Sequence, residues 1–173
     1  MTVFASMLGI LLLLGFVLPS KVHVERSITI NAQPRKIYPL ISNFHAWEKW
    51  SPWAKIDPNA EYKITGRGAK QKMVWSSSNP NVGSGWQQFT ALDAPKKITT
   101  HLNFGKQGMA DASFELVAKE GATQVTWALD TDSRAGVPLY LQPLSTYFGM
   151  MLDSMVGKDY EQGLKNLQNI VEQ

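Results

Sequence analysis

The spacing of apolar residues divides the chain into three stretches of different character. From Thr2 to Ser20 the residues carry no charge and are mostly apolar, with four leucines in a row at the centre. From Val22 to about Asp132 apolar and polar positions alternate in short runs, which is typical of half-buried β-strands. From Leu144 to Gln173 apolar residues recur every three or four positions without a proline, which predicts one long amphipathic helix.

The alternating stretch predicts one strand, a short helical segment and about six further strands. The first strand covers Val22–Ile30, and Asn31–Pro34 then begins a short helix that runs to about Ile41 and contains Pro39. The later strands centre on residues 62–64, 73–75, 86–92, 98–104, 110–116 and 125–129. Turn signals separate them at intervals of about 10 to 12 residues, which suits an antiparallel meander. The predicted fold class is α+β, with a curved antiparallel sheet of six to seven strands wrapped around the C-terminal helix.

The long helix carries two apolar stripes on different sides. The first stripe contains Leu144, Phe148, Met151 and Met155, and the second contains Tyr160, Leu164, Leu167 and Val171. At ideal helical geometry the two are rotated by roughly 140°, so a straight helix cannot hold both against one sheet. We therefore expect a bend or break at Gly157. We expect the C-terminal half of the helix to pack against the sheet and the Met-rich N-terminal half to form the wall or lid of an apolar hollow.

The N-terminal stretch predicts a membrane anchor. A cleaved signal peptide needs a basic residue before the apolar run and a small-x-small site after it, and Leu18-Pro19-Ser20 fits poorly. A buried core helix is disfavoured because nothing polar breaks the run. We therefore predict a single transmembrane helix in residues 1–20, followed by a domain in residues 21–173. Lys21, His23 and Arg26 follow the run at once, which places that domain in the cytoplasm.

Composition and charge narrow the function classes. The chain has 173 residues and no cysteine, which excludes disulfides, thiol catalysis and Cys-based metal sites. Its net charge of +3 is spread along the chain, so a nucleic-acid partner is not predicted. No phosphate-binding loop or dinucleotide fingerprint is present, and no cofactor is predicted. His45 and Glu48 are interpreted as a surface pair rather than metal ligands, and Asp130 and Asp132 as a polar strand end rather than a catalytic pair.

Several segments resemble the helix-grip superfamily, which includes START lipid-transfer domains, Bet v 1-type plant allergens and polyketide cyclases. The similar segments are Ile30–Tyr38, Trp47–Trp53, Gly121–Trp127 and Gly163–Leu167, and the resemblance covers Val22 to Gln173. It implies the sheet-and-helix fold already predicted. It leaves the function open, since the superfamily contains binders, transfer proteins and cyclases.

The hollow between sheet and helix is the predicted ligand site. Trp50 and Trp53 either line its mouth or plug one end of the sheet, and the methionines of the long helix offer an adaptable apolar surface or ordinary core packing. The predicted lining residues are Trp50, Trp53, Trp75, Leu102, Phe104, Phe114, Trp127, Tyr140, Phe148, Met151 and Met155.

Three functions are compatible with this pattern. The favoured one is a membrane-tethered binding module for an apolar or amphipathic small molecule such as a lipid, because the inward positions of the last three strands are almost all apolar. The alternative is a polyketide cyclase/dehydratase-like enzyme that uses the same cavity, for which Tyr62, Tyr140, Tyr147 and Tyr160 are the available acid/base groups. The third is a structural or chaperone-like domain without a small ligand.

Overall fold

Seven antiparallel strands form one sheet in the computed structural model, which describes residues 2–173 apart from the side chains of residues 2–5, 8 and 106. The strands are β1 (Lys21–Ile30), β2 (Glu61–Thr65), β3 (Lys72–Ser76), β4 (Ser84–Asp93), β5 (Lys97–Asn103), β6 (Met109–Lys119) and β7 (Ala122–Asp132). Their order across the sheet is β1-β7-β6-β5-β4-β3-β2. The chain therefore runs as a meander from β2 to β7, and β1 pairs with the last strand, which confirms the predicted antiparallel sheet.

Five α-helices accompany the sheet. They are α1 (Thr2–Val17), α2 (Pro34–Ile41), α3 (Phe44–Trp47), α4 (Pro52–Ile56) and α5 (Gln142–Val171). The short helices α2 to α4 connect β1 with β2, and α2 begins at Pro34 and contains Pro39 as predicted. A 3₁₀ turn at Leu139–Leu141 leads into α5, which packs mainly on β1 and makes smaller contacts with β7 and α4.

The alternating apolar and polar residues of each strand lie on opposite faces of the sheet. On β7 the side chains of Val125, Trp127 and Leu129 are buried, and on the neighbouring β6 those of Phe114 and Leu116 are buried. In an extended strand every second side chain points to the same face, so these residues form one continuous apolar surface. The core lies between this concave face, the segment α2–α4 and the C-terminal half of α5.

The prediction of a transmembrane helix at the N-terminus is wrong. The helix α1 has 16 residues. At about 1.5 Å per residue it extends about 24 Å, whereas the hydrocarbon core of a bilayer is about 30 Å thick. None of the helices in residues 2–173 is long and apolar enough to cross a membrane.

The expected break in the long helix is also wrong, because α5 is one continuous helix of 30 residues. Gly157 serves a different purpose, which is to let a side chain of the sheet approach the helix backbone. A Cβ atom at this position would lie 2.5 Å from Cζ of Arg26. Arg26 projects from β1, and its guanidinium forms ion pairs with Asp153 at 2.9 Å and Glu161 at 2.7 Å. The glycine thus allows one arginine to bridge two acidic residues that lie about two turns apart on α5.

Candidate functional site

One end of the space between sheet and helix is filled by stacked aromatic rings. The indole of Trp127 lies parallel to the ring of Tyr160, with 3.7 Å between centroids, and Phe114 stacks on it at 4.7 Å. Trp50 meets Trp127 edge to face at 5.5 Å. These four side chains are at most 2% exposed. Three of the predicted lining residues, Trp50, Phe114 and Trp127, therefore contact protein side chains on this side of the molecule.

Hydrogen bonds from indole nitrogens fix the segment that closes the filled end. Trp47 Nε1 donates to the carbonyl of Ile41 at 2.8 Å, and Trp50 Nε1 donates to that of Leu40 at 2.9 Å. Asn166 of α5 donates through Nδ2 to the carbonyl of Trp50 at 3.0 Å. The carbonyls of Leu40 and Ile41 are the last of α2, and that of Trp50 lies in a turn, so these bonds join the end of α2, the segment between α3 and α4, and α5.

The other end of the sheet carries an apolar surface, which we call the sheet wall. Trp75 of β3 and Phe104, just after β5, meet edge to face with centroids 5.8 Å apart, and both side chains are half-buried. The indole of Trp75 lies over Gly85, where a Cβ atom would come within 2.6 Å of it. Leu102 is buried nearby and faces Ala110 on β6. Because Ala110 has a small side chain, the concave face is less filled at this point.

The N-terminal half of α5 carries a second apolar surface, which we call the helix wall. Leu144, Phe148, Met151 and Met155 are 50–68% exposed, so no other described element covers them. Phe148, Met155 and Asn166 follow at helical spacing and lie along one side of α5. Since Asn166 contacts Trp50, this side of α5 faces the segment α3–α4 near its C-terminal end. Further towards its N-terminus, the same side carries Phe148 and Met155, whose side chains stay exposed.

Asp159 is a polar group at the junction of the two ends, and sequence reasoning missed it. Burial raises the pKa of its carboxyl, and a hydrogen bond from the indole of Trp53 opposes that rise. Trp53 itself is half-buried and meets Trp127 edge to face at 5.9 Å. Its position in the sequence could have indicated it. Asp159 lies four residues after Met155, next to the apolar stripe, and directly before Tyr160.

The tyrosines considered for acid/base chemistry are not gathered at one point. Burial raises the pKa of Tyr160, so its phenol stays neutral. The hydroxyl of Tyr147 donates to the carbonyl of Leu11 in α1 at 2.7 Å. Tyr140 lies in the 3₁₀ turn and is largely exposed, and Tyr62 is paired with Trp75 across β2 and β3. Of these four, only Tyr62 stands near the sheet wall.

Two surface depressions lie elsewhere, and neither is lined by residues of the sheet wall or the helix wall. One of about 470 Å³ lies against the outer side of β1, β7, β6 and β5 and includes His23 and His101 in its lining. Another of about 300 Å³ lies beside the start of α2 and is lined by Pro34 and Pro95 among others. Neither contains a predicted lining residue. Among the described side chains, no group of three or more His, Cys, Asp or Glu residues is placed to hold a metal ion.

A seven-stranded curved sheet that grips one long helix defines a helix-grip domain. The chain belongs to the family described as polyketide cyclase/dehydrase and lipid transport, whose sequence profile matches residues 21–172. Among curated proteins, none matches the sequence significantly.

Solved structures share this fold at low sequence identity. A START superfamily protein from Mycobacterium smegmatis is 19% identical, with a TM-score of 0.62, over 87% of this chain and 97% of that one. A protein from Thermobifida fusca is 15% identical, with a TM-score of 0.64, over 86% and 92%. Ara h 8.0201 is 14% identical, with a TM-score of 0.60, over 87% and 97%. At these identities the similarity establishes the fold alone.

Proposed function

We propose that the protein is a membrane-associated binding module for an apolar or amphipathic small molecule, such as a lipid, with its helix-grip domain on the cytoplasmic side. The observation that carries the proposal is the uncovered apolar side of α5, where Phe148, Met151 and Met155 are each at least 50% exposed. Exposed apolar side chains of this size in one stripe are expected to contact a ligand or another apolar phase.

We place the ligand in a groove between the sheet wall and the helix wall, which would have the chemistry of a site for a flexible apolar ligand. Methionine side chains adapt to irregular shapes, and Trp75 and Phe104 offer flat ring surfaces on the opposite wall. Asp159 adds one acceptor at the inner end of the groove. A ligand with an apolar body and a single hydroxyl or amine group would satisfy both features, since the carboxylate would accept a hydrogen bond from that group.

Binding is tested with an amphipathic fluorophore, 1-anilinonaphthalene-8-sulfonate, titrated into the full-length protein. Met155→Gln and Phe104→Gln change one wall each, and we expect each to weaken binding about 5-fold or more because a polar amide replaces apolar contact area. Met150→Gln is the matched control, since Met150 is 61% exposed on another side of α5 and should have no effect. Equal affinities in all three variants, together with no ligand in native mass spectra, would contradict the proposal.

A cyclase-like enzyme is the second candidate, and the raised pKa of Asp159 is the observation that favours it. A carboxyl that holds its proton more tightly than usual is better suited to act as a general acid. Incubation with a poly-β-ketone thioester, with products identified by mass spectrometry, tests this role. We expect cyclised product with the natural chain and none with Asp159→Asn. Equal product with both chains would exclude Asp159 from the reaction.

A further inference from the structure

The exposed apolar surface of the protein is concentrated in two segments. Among the described side chains, eight large exposed hydrophobic residues lie in α1, eight lie between Leu139 and Met155, and five are scattered elsewhere. Scattered exposed hydrophobic residues need no explanation, whereas a concentration of this size marks an interaction surface. The two segments are more than 120 positions apart in the sequence, so their meeting is a property of the fold.

The two segments form one surface because α1 packs against the beginning of α5. A Cβ atom at Gly15 would lie 2.6 Å from Pro143, so the helices approach closely at this point. The Tyr147 hydroxyl donates to the carbonyl of Leu11. Gly15 is four residues after Leu11, and Pro143 is four residues before Tyr147, so α1 runs antiparallel to α5. The helix wall therefore lies beside α1.

Arg134 holds the C-terminal end of α1 in this position. Its Nη2 donates to the carbonyls of Gly15 and Leu18, both at 2.7 Å, and its Nε donates to Oγ1 of Thr146 at 2.8 Å. The last carbonyls of a helix have no partner within the helix, and a basic side chain there also interacts favourably with the helix dipole. One side chain thus joins α1, the loop after β7 and α5.

The pattern of exposure on α1 identifies what covers it. Leu11, Leu12, Leu13 and Leu14 are consecutive and all 44–67% exposed, so the helix is apolar in every direction around its axis. A folded partner protein covers one side of a helix, whereas lipid surrounds it. Neither residues 2–20 nor residues 135–152 contain a charged side chain. Lys21 follows the first range directly, whereas the second is followed by Asp153, which is paired with Arg26, and by Lys158 five residues further on. Both lysines are exposed and can meet anionic headgroups.

We propose that α1 and residues 139–155 together form one bilayer-binding surface, which we call the apolar platform. The helix α1 enters the hydrocarbon layer from one side, and the fixed contact with α5 brings the helix wall to the same layer. The mouth of the groove then opens onto the bilayer, so that ligands pass between groove and membrane without crossing water. This inference rests on the proposed membrane association, and it does not depend on which ligand is bound.

The absence of cysteine from the chain permits a direct test with the full-length protein. Single cysteines are introduced by Leu13→Cys in α1, by Leu144→Cys and Met151→Cys in the helix wall, and by Asn169→Cys as the control. Asn169 is exposed and lies 18 residues after Met151, which is five helical turns along the same side of α5. Each variant is labelled with a nitroxide and bound to vesicles of phosphatidylcholine and phosphatidylglycerol. Accessibility to oxygen and to a water-soluble nickel chelate is then measured.

We expect the labels at positions 13, 144 and 151 to favour oxygen over the nickel chelate when vesicles are present. The label at position 169 should show the reverse preference. If position 13 enters the bilayer while positions 144 and 151 stay accessible to nickel, α1 is only a tether and the platform is overturned. If position 13 also stays in water, the proposed membrane association fails as well. Protection of positions 144 and 151 without vesicles would indicate a second copy of the chain as the occupant and would equally overturn the inference.

Discussion

At the scale of single residues, the contact between Arg26 and Gly157 determines how α5 is fixed to the sheet. The guanidinium donates from Nε to Glu161 and from Nη1 to Asp153, and Nη2 also reaches the backbone carbonyl of Asp153. Hydrogen bonds to ionised partners raise the pKa of Arg26 and lower that of Asp153. Because these bonds need the guanidinium close to the helix axis, the absence of a side chain at position 157 is part of the contact.

Gly157→Ala should destabilise the protein, although alanine favours a helix by about 1 kcal/mol over glycine. The new methyl group displaces the guanidinium, and both ion pairs are lost or lengthened. In an Arg26→Ala background nothing occupies that space, so the same substitution should stabilise the protein by about 0.5–1 kcal/mol through helix propensity. Urea unfolding of the four proteins measures both effects.

The control for this sign change is Gly163→Ala. A Cβ atom at Gly163 would lie 2.9 Å from Cζ3 of Trp127 and 3.1 Å from Cδ of Pro52, which are contacts that do not involve Arg26. Gly163→Ala should therefore lower the free energy of unfolding by the same amount with Arg26 present and in the Arg26→Ala background. If Gly157→Ala also keeps its sign after Arg26 is removed, the glycine is required for another reason.

At the scale of elements, Arg134 decides whether α1 stays on α5. In Arg134→Ala the carbonyls of Gly15 and Leu18 lose a charged donor, and such hydrogen bonds contribute about 1.5–3 kcal/mol each. We expect α1 to separate from α5 and trypsin to cleave after Lys21 about 10-fold faster or more, as followed by mass spectrometry. The urea midpoint of the sheet should change little, because the core lies elsewhere. Arg67→Ala removes an exposed arginine from another loop and should leave the cleavage rate unchanged.

The elements themselves could be predicted from the sequence, because their signals are local. Alternation such as Ile98, Thr100 and Leu102 records which face of a strand is buried, and it correctly placed the sheet and its meander. The length of α1 and the continuity of α5 were misjudged. The end of α1 at Val17, just before Pro19, had a local signal that the prediction did not use. A glycine shows a local preference for a break, whereas the outcome at Gly157 depends on Arg26, which is distant in the sequence.

The candidate site was less predictable than the fold for the same physical reason. The alternation of residues along each strand shows that Trp127 and Phe104 both face the concave side of the sheet. It does not show how far α2–α4 and α5 cover that side. The covered end became the stack around Trp127, and Phe104 at the other end stayed half-buried. Asp159 gained its role from burial next to Trp53, which no short-range pattern encodes.

At the scale of the whole molecule, the outer face of the sheet carries a row of titratable residues that spans four strands. His23 of β1 lies opposite Asp130 of β7, Asp130 lies opposite Asp111 of β6, and Asp111 lies opposite His101 of β5. The two carboxylates are direct neighbours, which is unfavourable for like charges. Each is offset by a histidine, since His23 Nδ1 lies 2.7 Å from Asp130 and His101 Nδ1 lies 2.6 Å from Asp111.

This row should make the stability of the sheet depend on pH between about 6 and 8. The hydrogen bond with Asp130 raises the pKa of His23 in the folded protein, with a further contribution from Glu25. A raised folded-state pKa stabilises the protein fully below the unfolded value, and that stabilisation is lost as pH rises through the folded value. The free energy of unfolding, measured in urea from about pH 5.5 to about pH 8.5, should therefore fall across this window.

His23→Gln and Asp130→Asn should each flatten that pH dependence, because either change removes one partner of the pair. Their absolute stabilities should differ, since Asp130→Asn also removes the repulsion between Asp130 and Asp111, whereas His23→Gln leaves it uncompensated. The double variant should have the same slope as either single variant, because the pair is already broken in each. A slope that survives in both single variants would show that the pair contributes nothing to it. The pair of His23 and Asp130 would then be a feature of the sheet surface that does not contribute to the stability of the protein.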